Sequence, residues 1–66
     1  MNKVIIFKKL MHEPMLVEGS GNIDKLSETV GEYNVERLEG LGVIKVENGL
    51  FELTESGKRM IELFNQ

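Results

Sequence analysis

The pair Asn48-Gly49, set between two short alternating segments, constrains the fold of this chain more than any other feature of its sequence. Both residue types tolerate the positive φ angles of a type I′ turn, so the pair is typical of a tight β-hairpin. With the pair at the tip, four apolar residues share one face of the ribbon: Ile44, Val46, Phe51 and Leu53. On the other face Lys45 lies opposite Glu52, a pair of unlike charges. The sequence therefore predicts a two-stranded ribbon with one buried side.

The size of the chain limits what can surround this ribbon. A chain of 66 residues is predicted to be one domain, residues 1–66, and folding at this size removes only about 60% of the unfolded surface from water. No cysteine is present to add a disulfide or a thiolate metal site. The longest apolar run, Val4 to Phe7, is far shorter than the roughly 20 residues of a membrane span. We expect a soluble, cytoplasmic protein that does not enter a membrane.

The first third of the chain is predicted to be helical before a proline and irregular after it. Apolar residues from Lys3 to Met11 have the spacing of a mostly buried helix, which is favoured over the alternative of a strand at Val4 to Phe7. Pro14 ends that element, because the residue before a proline is disfavoured in the α region. Met15 to Val17 is then predicted as a short strand and Glu18 to Asn22 as a loop.

Two further helices are predicted between this loop and the ribbon. Asn22 is a good N-cap for the first of them, whose apolar residues share one face: Ile23, Leu26 and Val30. Gly31 is predicted to close it in a left-handed conformation. The second helix runs from about Glu32 to Leu41, with Gly42 as its terminator, and its apolar residues are three apart: Val35, Leu38 and Leu41. Together the two helices form a helix–turn–helix candidate.

The ribbon is followed by a last predicted helix that begins after Thr54, a good N-cap. Gly57 in its first turn is expected to cost about 1 kcal/mol relative to alanine. Four residues supply its apolar stripe: Met60, Ile61, Leu63 and Phe64. The first and last helices thus carry more apolar residues than a small core can cover, and exposed apolar patches mark interfaces. We therefore expect a homodimer built on those two helices.

The order of these elements and the residue pattern of two segments resemble those of a known protein family. The segment LEGLGVI, followed by NGLFELTESGKRMIELF, is similar to the stretch of many prokaryotic winged-helix regulators in which the recognition helix ends, the wing follows and the last helix opens. The resemblance implies an α+β winged helix–turn–helix fold, in the order helix, short strand, helix, turn, helix, β-hairpin, helix. It also implies that the helix from Glu32 to Leu41 enters the DNA major groove while the wing reaches the backbone. The leading hypothesis is a small DNA-binding transcriptional regulator.

Seven side chains are the candidates for contact with double-stranded DNA: Lys25, Tyr33, Asn34, Arg37, Lys45, Lys58 and Arg59. Asn and Arg can make bidentate hydrogen bonds to adenine and guanine edges, and Tyr can reach a phosphate. Structural roles are the alternative: Asn34 as a helix cap, Arg37 paired with a glutamate and Tyr33 as partial core filling. Lys45 can pair with Glu52 instead, and the two cations of the last helix can lie on a solvated face.

The charge of the helix–turn–helix candidate supports a second hypothesis. The whole chain has a formal net charge of −3, and between Asn22 and Gly42 five acidic residues stand against two basic ones. Such a surface repels phosphate, so weak DNA binding per protomer is expected, and the alternative is a winged-helix protein–protein interaction module. His12 stands alone, without a ligand set for zinc, and no catalytic motif is present. We expect neither an enzyme nor a bound metal or cofactor.

Overall fold

The computed structural model describes residues 8–65, which form a mixed α+β fold. Within that range there are five helices and one open antiparallel sheet of three strands. The order is a helical segment at residues 8–11 (α1), α2 (Pro14–Glu18), β1 (Ser20–Asn22), α3 (Ile23–Val30), α4 (Glu32–Gly40), β2 (Ile44–Glu47), β3 (Leu50–Leu53) and α5 (Glu55–Phe64). The choice between helix and strand at Val4 to Phe7 lies outside the described residues.

The hairpin has the predicted turn and register. Asn48 and Gly49 have φ angles of 51° and 76°, as a type I′ turn requires. Val46 pairs with Phe51, and Lys45 with Glu52. The predicted inner face is confirmed, with Ile44, Phe51 and Leu53 buried and Val46 partly buried.

The predicted ion pair between Lys45 and Glu52 is wrong. The Lys45 Nζ instead lies 3.6 Å from Oε1 of Glu47, two residues along the same strand. Alternation along a strand puts residues i and i+2 on one face, so Glu47 competes directly with the cross-strand partner. Both side chains of the observed pair are mostly exposed, and exposed pairs contribute at most about 1 kcal/mol.

The short strand predicted at Met15 to Val17 is wrong, because this segment is the helix α2. Pro14 occupies its first turn, where the missing N–H has no helical partner to lose. Glu13 before it has ψ of 120°, outside the α region, as the proline rule requires. Gly19, with φ of 100°, ends the helix and donates its N–H to the Leu16 carbonyl. One proline therefore separates α1 from α2 and begins the second.

The predicted loop from Glu18 to Asn22 is also corrected, because its last three residues form β1. Strand β1 pairs antiparallel with β3, so the sheet order is β1-β3-β2. Gly21 lies opposite Phe51, and a Cβ at residue 21 would be 3.2 Å from the phenyl ring. A larger residue at this position would press on the buried Phe51 ring. Glycine therefore suits this position in β1, where the ring comes close to the backbone.

The helices α3 and α4 are joined by Gly31 alone. The Asn22 side chain accepts hydrogen bonds from the N–H groups of Asp24 (2.8 Å) and Lys25 (3.2 Å), which confirms the predicted N-cap. Gly31 has the positive φ expected, 90°, but its ψ of 148° is extended rather than left-handed helical. That backbone lets one residue end α3 and begin α4, since its N–H bonds to the Ser27 carbonyl and its own carbonyl accepts the N–H of Val35.

The end of α4 confirms Gly42 as the predicted terminator of this helix. Gly42 (φ 76°) donates its N–H to the Glu39 carbonyl, and Val43 donates to the Leu38 carbonyl. This pattern is a Schellman motif, in which the apolar contact that accompanies the reversal is between Leu38 and Val43. Both of those side chains are fully buried, whereas Leu41 is 56% exposed. Of the three apolar residues spaced three apart, Val35 and Leu38 are therefore buried and Leu41, at the end of the helix, is not.

The helix α5 begins as predicted, but Gly57 has a role that the sequence did not indicate. Thr54 caps the helix by accepting the Gly57 N–H at 2.9 Å, and its hydroxyl donates to the Gly42 carbonyl. Gly57 is buried, and a Cβ on it would overlap the carbonyl oxygen of Val43. Alanine would not fit between α5 and the start of β2. The prediction that Gly57 lowers stability relative to alanine is therefore wrong.

One apolar core holds these elements together. Its buried members come from α1, α2, α3, α4, the ribbon with its preceding residue and α5: Leu10, Met11, Leu16, Leu26, Val35, Leu38, Val43, Ile44, Phe51, Leu53 and Ile61. The Nε2 atom of His12, just after α1, is 2.9 Å from the carbonyl oxygen of Phe64 at the end of α5. The core lies on the inner side of α3 and α4, and the outer side of α4 faces solvent.

Candidate functional site

The outer side of α4 is a helical surface that faces solvent. Val35 and Leu38 point into the core and the Asn34 side chain bonds to the end of α3. The other six residues lie on the outer side: Glu32, Tyr33, Glu36, Arg37, Glu39 and Gly40. We call these six residues the α4 face. All are exposed except Arg37, which is partly buried. The short turn at Gly31 and the Schellman motif at Gly42 hold the helix in this orientation from both ends.

Tyr33 and Arg37 are brought together on the α4 face. They are four residues apart, and the guanidinium carbon of Arg37 lies 5.8 Å from the centre of the Tyr33 ring. That distance is within the range of a cation–π interaction. Tyr33 is 71% exposed, so the alternative in which it fills the core is wrong. The ring and the guanidinium together form an exposed aromatic and cationic spot.

Asn34 has a structural hydrogen bond. Its Nδ2 atom donates to the Val30 carbonyl at 2.7 Å, which satisfies a carbonyl at the end of α3. The cap is thus on the preceding helix, and the start of α4 is formed by Gly31. The side chain is partly buried and turned toward the junction of the two helices, away from the surface that Tyr33 and Glu36 present.

The four remaining candidate cations lie on three separate elements. Lys25 is on the first turn of α3, Lys45 on β2, and Lys58 and Arg59 on α5, and all are exposed. Lys45 is paired with Glu47, and the Lys58 Nζ lies 3.7 Å from Oε1 of Glu55. Carboxylates therefore accompany two of these four candidate cations.

Carboxylates dominate the surface that α3 and α4 form together. A depression between the two helices is lined by Asp24, Ser27, Glu28 and Glu32. Glu36 and Glu39 continue the acidic surface along α4. The five acidic residues and two basic ones of the segment between Asn22 and Gly42 are therefore held close together by the fold, where their fields add.

Sequence reasoning did not select Gly40 as a site residue. It is exposed on α4, and a Cβ built on it would have no atom of the described part of the chain within 4 Å. An isolated glycine inside a helical pattern was the available signal, because glycine weakens a helix relative to alanine unless packing or function requires it. Tyr33, Glu36 and Gly40 are spaced three and four residues apart, so they lie along one ridge of the helix.

The ribbon also exposes an apolar residue close to its tip. Leu50 is 57% exposed and lies opposite Glu47 on the outer face of the sheet. On its other side it pairs with Asn22 of β1, the cap of α3. The exposed tip of the hairpin thus carries a leucine and a carboxylate, and the nearest cation in the strand is the paired Lys45.

Residues 8–65 contain no group of three or more His, Cys, Asp or Glu side chains arranged to hold a metal ion. No helix in the same range is both long and apolar enough to cross a membrane. Comparisons of the chain with protein-family models, with curated proteins and with solved structures found no match.

Proposed function

We propose that this chain is a winged helix–turn–helix domain that acts as a protein-interaction module. In this arrangement α3 and α4 are the helix–turn–helix pair, β2 and β3 are the wing, and β1 joins the wing to the start of α3. The element order, the antiparallel sheet and the Schellman end of α4 are compatible with that layout. The fold alone does not decide between DNA and protein partners.

The acidity of the α4 face is the main reason to propose a protein partner rather than DNA. A recognition helix in the major groove lies between two phosphate chains, and Lys and Arg side chains supply most of the affinity there. Glu32, Glu36 and Glu39 would stand in that position, with Arg37 as the cation of the same face. Like charges brought together at an interface cost several kcal/mol, about the contribution of several good contacts. The same carboxylates favour a basic protein surface.

The wing supports the same choice. A wing that contacts DNA offers cations to the backbone or minor groove, whereas this tip presents Glu47, Asn48, Gly49 and an exposed Leu50. Apolar side chains near a polar rim are typical of protein interfaces. A leucine at this position gains nothing from a phosphate chain.

DNA binding is the second candidate, and the position of Tyr33 and Arg37 on the outer side of α4 favours it. From one protomer about two to four cations would reach phosphates, so log affinity should fall with log salt by only about 0.9 per neutralised phosphate. Useful affinity would then need two half-sites on a dimer. Under this candidate Arg37→Ala weakens binding by about 1–3 kcal/mol and relaxes the choice of one base, whereas Lys45→Ala weakens all sequences alike.

A duplex-binding experiment separates the two candidates. Fluorescence anisotropy with labelled duplexes of mixed sequence, at low and at physiological salt, should give no binding for the wild type. A variant with Glu32→Lys, Glu36→Lys and Glu39→Lys should gain salt-sensitive binding, because the change puts cations on the helix that faces the groove. The matched control has Glu18→Lys, Glu55→Lys and Glu62→Lys, three exposed positions outside α4 and the wing, and should gain less. Wild-type binding that Arg37→Ala abolishes would overturn the protein-interaction proposal.

A further inference from the structure

We infer that the α4 face docks an arginine-rich segment of a partner protein, whose main chain crosses the helix at Gly40. This inference rests on the proposed function and names the partner class for the same face. Three features support it: a glycine at the end of α4 that no contact among residues 8–65 requires, an acidic depression beside the start of the same helix and an exposed aromatic ring.

Gly40 is the glycine that the fold does not explain. All seven glycines of the chain lie within the described range, and four of them have positive φ angles: Gly19, Gly31, Gly42 and Gly49. Gly21 lies against the Phe51 ring and Gly57 against the Val43 carbonyl. Gly40 has no positive φ, and no atom of residues 8–65 lies within 4 Å of a Cβ built on it. No contact among the described residues requires the lack of a side chain at residue 40, and that lack permits close approach of another main chain.

The charge of the surroundings indicates what approaches. Glu36 and Glu39 flank Gly40 on α4, and the depression lined by Asp24, Ser27, Glu28 and Glu32 lies beside the start of the same helix. A concave site with several carboxylates suits long cationic side chains, and a guanidinium binds a carboxylate through two parallel hydrogen bonds. A second copy of this chain would bring the same carboxylates and be repelled, as would nucleic acid.

The Tyr33 ring favours arginine over lysine. The ring is exposed, and the Arg37 guanidinium already lies over it at 5.8 Å. An aromatic ring that holds one guanidinium has the chemistry to hold another, either beside Arg37 or in its place. Arginine also stacks on rings and loses less hydration than lysine on binding. The partner segment therefore has arginines spaced to reach both the depression and the ring.

Amide chemical-shift titrations with short synthetic peptides test this inference. The probe is a peptide of alternating arginine and glycine, compared with a lysine–glycine peptide of equal length. We expect shifts concentrated in α3 and α4 and tighter binding of the arginine probe. Glu32→Lys with Glu36→Lys should weaken binding by about tenfold or more. Glu62→Lys, on α5, should leave binding close to that of the wild type.

Two variants that keep the charge distinguish a docking face from general attraction between opposite charges. Gly40→Leu should weaken the arginine probe severalfold by blocking close approach, and Tyr33→Ala should remove its preference over the lysine probe. Wild-type affinity in both variants, or shifts spread over all acidic surfaces, would overturn the inference. If neither the peptides nor the duplexes bind, the arginine-docking inference is overturned and the proposed function stands. If duplex DNA binds through α4, the proposed function itself is overturned.

Discussion

The backbone of Gly57, in the first turn of α5, lies directly against the carbonyl group of Val43, just before β2. The same carbonyl oxygen accepts the N–H of Thr54 at 3.0 Å. It therefore cannot move away from α5 without losing a backbone hydrogen bond. This contact fixes how the last helix leaves the sheet.

Gly57→Ala should destabilise the fold although alanine is the better helix former. The added methyl would displace α5 or the Val43 carbonyl, and overpacking of this kind costs about 1–3 kcal/mol. Urea denaturation measures the change in the free energy of unfolding. Ser56→Ala, at the neighbouring exposed position, is the control and should change stability by no more than about 0.5 kcal/mol. Equal midpoints for the two variants would show that the packing at Gly57 is loose.

Gly40→Ala should have the opposite sign. The position is helical and open, so alanine adds no clash and reduces the entropy that the helix loses on folding. A stabilisation of about 0.5–1 kcal/mol is expected, measured by the same denaturation. Together with Gly57→Ala this forms a matched pair, one glycine required by packing and one not. A loss of stability at residue 40 would mean that the fold itself needs this glycine.

Thr54→Ala should lower stability by removing the N-cap of α5. The change leaves the Gly57 N–H and the Gly42 carbonyl without their hydroxyl partner, and N-cap losses cost about 0.5–2 kcal/mol. Thr54→Ser keeps the hydroxyl and should recover most of that loss. If serine and alanine are equally destabilising in thermal melts, the methyl group of Thr54 rather than its hydroxyl holds the helix.

Phe51→Ala should be among the most damaging substitutions. Phe51 is 1% exposed and is the largest fully buried side chain among the described residues, so its truncation should cost about 3–5 kcal/mol. Leu50→Ala, next to it on the exposed face of the same strand, should cost far less. A denaturation midpoint that Phe51→Ala barely moves would contradict the packing of the ribbon.

The homodimer expected from the apolar first and last helices stays a prediction, and Leu63 offers a test. Leu63 is 68% exposed on α5, where an apolar side chain gains only by contact with another molecule. Sedimentation of the wild type should show a dimer, and Leu63→Glu should shift it toward monomer. Val17→Glu, also at an exposed apolar position but on α2, should not. A wild-type monomer at high concentration would remove this expectation.

Local chemistry explains which parts of the fold could be predicted. The hairpin register follows from Asn48-Gly49 and the alternation beside it, and the caps at Asn22 and Thr54 depend on residues within three positions. Strand β1 could not be predicted, because Ser20 to Asn22 have poor strand propensity and pair with a segment far along the chain.

The candidate site could also be predicted only in part, because composition is visible in the sequence but orientation depends on packing. The acidic composition of the α4 face was visible in the sequence, but its outward orientation depends on how Val35 and Leu38 pack. In the sequence, Gly57 and Gly40 are both isolated glycines within a helical pattern, and the pattern does not distinguish them. Only the position of the Val43 carbonyl separates the glycine that packing requires from the one that it does not.

The pairing of β1 with β3 has a consequence for the order of folding. The two strands of the hairpin are separated by two residues and can meet within microseconds, whereas β1 must close a long intervening chain segment before it adds to the sheet. The N–H of Leu53 reaches the Gly19 carbonyl and that of Ile23 reaches the Gly49 carbonyl, one on each side of β1. Mutations in β1 should therefore accelerate unfolding and leave the folding rate unchanged, while mutations in the hairpin slow folding.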